Sequence, residues 1–230
     1  VAVGRNALTA QTTGGNNTAI GDSALAANTT ASNNTAVGYG ALIANTTGDT
    51  NTAVGKDSMA ANTTGTNNTA LGARTLQANT TAANNVAVGD LALAANTTGT
   101  QNVALGVNVL NDAVTVNNNT AIGYNALAVT TIGDNTAVGS ESMAATTTGT
   151  YNTAVGKNSL NDNTTGARNV ALGFAAMAVN TTGLYNVGIG FEALDANTTA
   201  SGNTGIGYNV LGANTTGASN TAVGFNALDA

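Results

Sequence analysis

A glycine recurs at Gly4, Gly21, Gly38, Gly55, Gly72, Gly89, Gly106, Gly123, Gly139, Gly156, Gly173, Gly190, Gly207 and Gly224. Every step is seventeen residues except the sixteen between Gly123 and Gly139. A fixed period this short confines a chain to a solenoid, in which each repeat is one coil and adjacent coils bury a shared core. Set out in rows, the sequence repeats Asn-Thr-Ala-(Val/Ile/Leu)-Gly-x-x-(Ala/Ser)-(Leu/Met)-x-Ala-Asn-Thr-Thr-Gly-x-x. Residues 1–230 therefore read as one repetitive domain of fourteen rows. Neither end carries the polar capping repeat that a solenoid needs, which predicts a segment of a longer fibre protein without its caps.

Seventeen residues are too few for a helical-hairpin repeat, and Asn, Thr, Gly and Val are poor helix formers. The expected fold is all-β, a parallel β-solenoid of fourteen 17-residue coils with two short strands per coil. In the first strand, Thr-Ala-Val-Gly, the second and fourth row positions share a face and carry Thr or Val and then Val, Ile or Leu. That face is expected to look into the coil. The second strand is centred on Leu25, Leu42, Met59, Leu76 and their equivalents, with Leu or Met in every row. The residue between the two inward positions is Ala everywhere but Gly188 and Gly205. So small a side chain implies either a close neighbour outside the coil or a crowded curve within it. Two large apolar residues per row, at about 1.5–3 kcal/mol each when buried, stand against an ordering cost of about 1–2 kcal/mol per residue. So thin a core predicts self-association, a parallel homotrimer with Ala53, Ala70 and Ala87 near the shared surface.

The row Asn is unbroken from Asn17 to Asn220. Identical stacked amides hydrogen-bond along a parallel array, so Asn51, Asn68 and Asn85 are read as a structural ladder. Gly55, Gly72 and Gly89 mark its corner, where positive φ or close backbone approach is needed. The Gly of Asn-Thr-Thr-Gly is replaced at Ala31, Ala82, Val116 and Ala200 and reads as a turn. Asn111-Asp112-Ala113-Val114-Thr115-Val116 and the short row around Thr130-Thr131-Ile132 break the pattern, and a local distortion is expected there.

Chemistry is sparse. The chain has no Cys and no His, which removes disulfides, zinc sites and His-based catalysis. The eleven acids share no register, so no carboxylate pair is built, and no phosphate-loop motif occurs. The expectation is a non-enzyme with no cofactor and no metal. Five scattered cations and a net charge of −6 leave no basic stripe for nucleic acid. No apolar run reaches the ~18 residues of a spanning helix, so no membrane insertion is expected of this segment. Asn28, Asn45, Asn62 and six further Asn-Thr-Thr triplets match a glycosylation acceptor, although the repeat itself dictates them. Threonine ladders raise ice binding as an alternative function, against which Thr29 and Thr30 are adjacent and face opposite ways.

Six of the eight aromatic residues directly follow the row Gly: Tyr39, Tyr124, Phe174, Phe191, Tyr208 and Phe225. Four occupy consecutive rows, so they are expected to stack at one-coil intervals. These six are the candidate ligand-binding residues, a strip for a host or cell-surface glycan or protein. The alternative is that the rings cover a seam between coils or subunits.

The rows Asn-Thr-Ala-Ile-Gly-Asp-Ser-Ala-Leu and Asn-Val-Ala-Val-Gly-Asp-Leu-Ala-Leu resemble the head repeats of YadA-like trimeric autotransporter adhesins. They are also similar to Asn-Thr-Ala-Ile-Gly rows of phage tail-fibre and bacterial surface fibre proteins. The resemblance implies a left-handed β-roll, a parallel homotrimer, and an extracellular, cell-surface or virion-surface location with a role in attachment or spacing. The alternative is a self-assembling extracellular filament subunit. No catalytic residue belongs to the resemblance.

Overall fold

The computed structural model describes residues 1–229 of the 230-residue chain. It contains strands and turns, with no helix among the described residues. Contacts divide the chain into two compact units, Val1–Asn118 and Asn119–Ala230. The first holds β1 (Ala2–Val3), β2 (Thr18–Ile20), β3 (Thr35–Val37), β4 (Thr52–Val54), β5 (Thr69–Leu71), β6 (Val86–Val88) and β7 (Val103–Leu105). The second holds β8 (Thr120–Ile122), β9 (Thr136–Val138), β10 (Thr153–Val155), β11 (Val170–Leu172), β12 (Val187–Ile189), β13 (Thr204–Ile206) and β14 (Thr221–Val223). Within each unit every strand pairs in parallel with the next, row position on row position, as in Thr52↔Thr69, Ala53↔Ala70 and Val54↔Leu71. Each unit is a parallel β-solenoid with one row per coil.

Two features differ from the sequence expectation. Each coil contains one strand, not two. The segment around the row Leu or Met is turn backbone in which that residue is left-handed, with φ of 52° at Leu42, 51° at Met59 and 49° at Leu76. An L-residue loses roughly 1–2 kcal/mol in that region. Two things hold it there. The side chain is fully buried at Leu42, Met59 and Leu76, and its amide donates to the next coil, Leu42 N to Ser58 O at 3.0 Å and Met59 N to Thr75 O at 3.0 Å.

The second difference is the direction of the strand. Ala53, Ala70 and Ala87 have no exposed surface within their own chain. Thr52 is half-buried and Val54 is exposed. The Ala column therefore faces the core, and the Thr and Val/Ile/Leu columns face out, the reverse of the expected register. The placement of Ala53, Ala70 and Ala87 at a shared outer surface is corrected with it. The reason is the width of the coil. The space beneath the strand is already taken by the row Leu or Met and by buried Asn, so only a methyl group or less fits. At Gly188 a Cβ would lie 2.8 Å from Cγ of Met177, so a hydrogen at one position makes room for the long side chain at the other.

Amides fill the rest of the core. Asn34 donates through Nδ2 to Gly48 O at 2.9 Å, and its Oδ1 accepts from the Asn51 amide at 2.8 Å. The Asn of Asn-Thr-Thr converges on the same carbonyl, Asn45 Nδ2 to Gly48 O at 3.0 Å, and accepts from Asn62 Nδ2 at 2.7 Å. Asn51, Asn68 and Asn85 form the expected ladder, each Oδ1 accepting the amide of the next Asn. Buried polar groups are tolerated when each has a partner, and here the period provides one at every coil.

The corner glycines need their freedom. Gly72 has φ +136°, and a Cβ there would lie 2.7 Å from the Gly89 carbonyl oxygen. Gly55 and Gly89 stand at φ +136° and +126°.

The irregular rows leave the sheet intact. Ala113 takes the buried place of the second Asn and Val116 that of the turn Gly, while Asn102 still donates to Val116 O at 2.8 Å. In the short row, Thr120 remains opposite Thr136. The missing residue is absorbed in the turn, where Thr130 Oγ1 donates to Ile132 O at 2.9 Å in place of an amide.

Candidate functional surface

The outward residues of each coil form four columns. They are the residue before the row Asn, the strand Thr or Val, the strand Val, Ile or Leu, and the residue after the row Gly. Burial alternates accordingly along one coil: Tyr185 exposed, Asn186 buried, Val187 half-buried, Gly188 buried, Ile189 half-buried, Phe191 exposed. The two inner columns make an apolar stripe on the strand face of both units, with Ile20, Val54 and Leu71 exposed in one and Ile122, Val155 and Ile206 in the other. A row of such residues is more than the scattered single hydrophobes of an ordinary surface.

The outer columns differ between the units. After the row Gly, the first unit carries Arg5, Asp22, Tyr39, Lys56, Ala73, Asp90 and Val107. Arg5 and Asp22 pair at 2.6 Å across one coil. The hydrogen bond from Arg5 holds the Asp22 carboxyl below its ordinary pKa, and a bond from the Ser23 hydroxyl adds to this. In the second unit, Phe174, Phe191, Tyr208 and Phe225 form a continuous stack. Successive centroids lie 5.1, 5.2 and 4.9 Å apart, with ring planes within 17° of parallel. These four candidates are brought together. Tyr39 and Tyr124 are exposed on the same column and have no ring neighbour among the described residues.

The stack turns its ring faces toward one another, so its members meet solvent mainly through their edges. Sugar rings pack on aromatic faces, whereas edges suit apolar groups and other rings. The geometry therefore favours the seam reading over a glycan platform for the inner members of the stack.

The opposite edge holds a group that the sequence reading missed. Arg168 lies between the rings of Tyr151 and Tyr185, its guanidinium carbon 5.5 and 5.4 Å from the two centroids, and Nη1 donates to the Tyr185 hydroxyl at 3.3 Å. The signal was present, since Tyr151, Arg168 and Tyr185 are each seventeen apart. Tyr151 and Tyr185 are the two aromatics that do not directly follow the row Gly.

Other candidates are resolved by burial. Asn28, Asn45, Asn62, Asn79, Asn96, Asn163, Asn180 and Asn197 have no exposed surface, so the folded coil closes these Asn-Thr-Thr amides to glycosylation. The first Thr of the triplet is also occupied, Thr46 Oγ1 donating to Thr63 O at 3.1 Å and Thr63 Oγ1 to Thr80 O at 3.1 Å. Asp195 has its pKa raised, first by burial and then by the nearby Glu192. Among the described residues no group of acids is arranged to hold a metal, and no helix is long and apolar enough to cross a membrane. No protein-family model, curated protein or solved structure matches the chain.

Proposed function

We propose that this chain is a structural and adhesive segment of an extracellular or virion-surface fibre. It is non-catalytic, and it serves attachment or spacing as a bundle of parallel copies. The observation that carries this reading is the apolar stripe of the strand face, which recurs coil after coil in both units. Burying such a surface releases about 25 cal/mol per Å², and a repeat protein accumulates that gain with every coil. The resemblance of the rows to adhesin heads and tail-fibre repeats points the same way and suggests three copies. Sedimentation equilibrium at micromolar concentration tests the assembly, which should have a mass of several chains. The variant Val54→Glu/Val155→Glu should shift it to monomer without loss of strand signal in circular dichroism. A wild-type chain that sediments as a monomer overturns the reading.

A second reading has an observation of its own. The strand hydroxyls of Thr18, Thr35, Thr52 and Thr69 lie outward in register and have no hydrogen-bond partner among the described residues, unlike those of Thr29, Thr46, Thr63 and Thr80. Such rows could order water against ice. Thermal hysteresis abolished by Thr52→Lys would support this, and its absence in the wild type would remove it.

A further inference from the structure

In the second unit the residues before the row Asn form a ladder with one rung missing. Tyr151, Arg168 and Tyr185 stand on successive coils, the guanidinium carbon 5.5 Å from one ring centroid and 5.4 Å from the other. The next coil has Gly202 at this position, and the one after it has Ser219. Arg168 covers one face of Tyr185, and Gly202 offers no side chain to cover the other. Tyr185 is 56% exposed.

The backbone does not call for glycine at this place. Gly202 has φ 74°, and Arg168, Tyr185 and Ser219 hold the same left-handed conformation at 59°, 59° and 60°. A Cβ at Gly202 would meet nothing nearer than the Ser219 hydroxyl oxygen at 3.5 Å, an ordinary contact. A side chain would therefore fit. Its absence leaves a slot one coil high between Tyr185 and Ser219, which stand two coils, or about 10 Å, apart. Two coils also separate the rings that enclose Arg168.

The slot selects by chemistry. One side is an aromatic face, the surface on which the C–H side of a sugar ring packs. The other side carries the Ser219 hydroxyl, which makes no hydrogen bond among the described residues. Ser201, next to Gly202 in the chain, accepts the Leu184 amide through Oγ at 3.0 Å and keeps its own O–H to donate. Leu184, Ser201, Gly202, Ala218 and Ser219 are all uncharged, so none of them offers a cation a carboxylate, and Arg168 already supplies a cation to the ring. A neutral ligand with an apolar face and a hydroxylated rim meets these groups, and a pyranose has both. A nucleobase would also stack, but a net charge of −6 opposes a polyanion.

Tyr185 is held in place before any ligand arrives. Arg168 lies behind its ring and donates through Nη1 to its hydroxyl at 3.3 Å, so little side-chain freedom remains to be lost on binding. A hexose has about a dozen non-hydrogen atoms, a size at which one shallow site reaches a dissociation constant on the order of a millimolar. Several copies in one fibre would raise that by avidity, about 10²–10⁴-fold.

We propose that the gap at Gly202 is a carbohydrate-binding slot, in which a neutral pyranose stacks on the free face of Tyr185 and hydrogen-bonds to Ser201 and Ser219. This rests on the attachment reading above and deepens it by naming the chemical class that the fibre holds.

Saturation-transfer NMR on the assembled wild-type chain, with the methyl glycosides of glucose, galactose, mannose and N-acetylglucosamine, tests it. At least one glycoside should receive saturation, most strongly at the protons of one ring face. Gly202→Arg fills the slot with the residue type that already fits beside Tyr185, in a backbone conformation that Arg168 itself adopts. It should cut the transfer about tenfold or more, with sedimentation and circular dichroism unchanged. Tyr185→Ala should do the same, and Phe191→Ala, on the opposite edge, should leave the transfer as it was. No transfer to any of the four glycosides overturns the slot, as does transfer that survives Gly202→Arg. Binding by the Val54→Glu/Val155→Glu monomer but not by the assembled wild type would put the slot inside a seam and overturn its use in attachment. A wild-type chain that sediments as a monomer removes the fibre reading alone. The slot lies within one chain, and the same spectra then decide it.

Discussion

Replacing Asn51 by Asp changes one buried amide nitrogen to oxygen and nothing else in size. Asn51 Nδ2 donates to Gly65 O at 2.8 Å, and Oδ1 accepts from the Asn68 amide at 3.0 Å. The side chain has no exposed surface. A protonated carboxyl can serve both contacts, with its O–H directed at Gly65 O. An ionised one cannot, since it turns an unprotonated oxygen toward that carbonyl and carries a charge with no cation beside it. Removing one partner from a buried hydrogen bond costs about 1–3 kcal/mol, and an uncompensated buried charge about 3–5 kcal/mol. The new carboxyl should therefore have its folded pKa raised above the ~3.9 of an unfolded chain. The sign follows from linkage. Below about pH 4 the group is protonated in both states and the penalty is small; as pH rises toward the folded pKa, the unfolded state ionises and the folded state does not, so stability falls. The expected loss is on the order of 1 kcal/mol at pH 3 and 3–5 kcal/mol at pH 7. Urea titrations followed by circular dichroism, for the wild type and variant at each pH, read the difference, and other titrating groups cancel in it. An equal loss at pH 3 and pH 7 would refute the assignment of Asn51 as a buried donor.

Three further outcomes are expected. Gly72→Ala should destabilise by about 2–4 kcal/mol in the same titration, because φ +136° and the Gly89 carbonyl leave no place for a methyl group. Thr50 is an exposed β-branched residue at φ 59°; Thr50→Asn, the residue its column carries at Asn16, Asn33, Asn67 and Asn84, should raise stability by about 0.5–1 kcal/mol. Asp195→Asn should raise the stability at pH 7 in the same urea titration, by less than about 1 kcal/mol after solvent screening. Its advantage should vanish at pH 3, since burial raises the Asp195 pKa and the charged form is the one that folding disfavours.

The period, the corner glycines, the Leu/Met ladder and the Asn ladder were legible because each is a position held constant across rows. Which face of Thr-Ala-Val looks inward was not. The rule that apolar residues go inside pointed to Val54 and its equivalents, and a three-residue strand offers too little alternation to contradict it. The better guide was size. A position that never exceeds a methyl group, as at Ala53, Ala70 and Ala87, is one against which something packs, and the row Leu or Met provides it from within. The left-handed backbone at Leu42 and Met59 had no local signal, since these residues seldom adopt it and do so here through burial and bonds to the next coil. On the surface, the aromatic stack followed from spacing, whereas the Tyr151–Arg168–Tyr185 sandwich lies in a column whose residue type changes from row to row, Asn in some and Thr, Gln, Asp, Gly or Ser in others, so that no constant position marks it.

The short row between Gly123 and Gly139 shows where a gene encoding such a chain can gain or lose codons. One residue is missing, yet Thr120 still pairs with Thr136 and Thr130 closes the turn with its hydroxyl. Slippage inside a strand would turn every later side chain of that strand to the wrong face, so the sheet side tolerates whole rows or nothing. The turn side accepts single-codon changes wherever a hydroxyl or amide can reach the displaced carbonyl. Length should therefore vary among descendants of this sequence in multiples of seventeen, with the exceptions clustered at Asn-Thr-Thr.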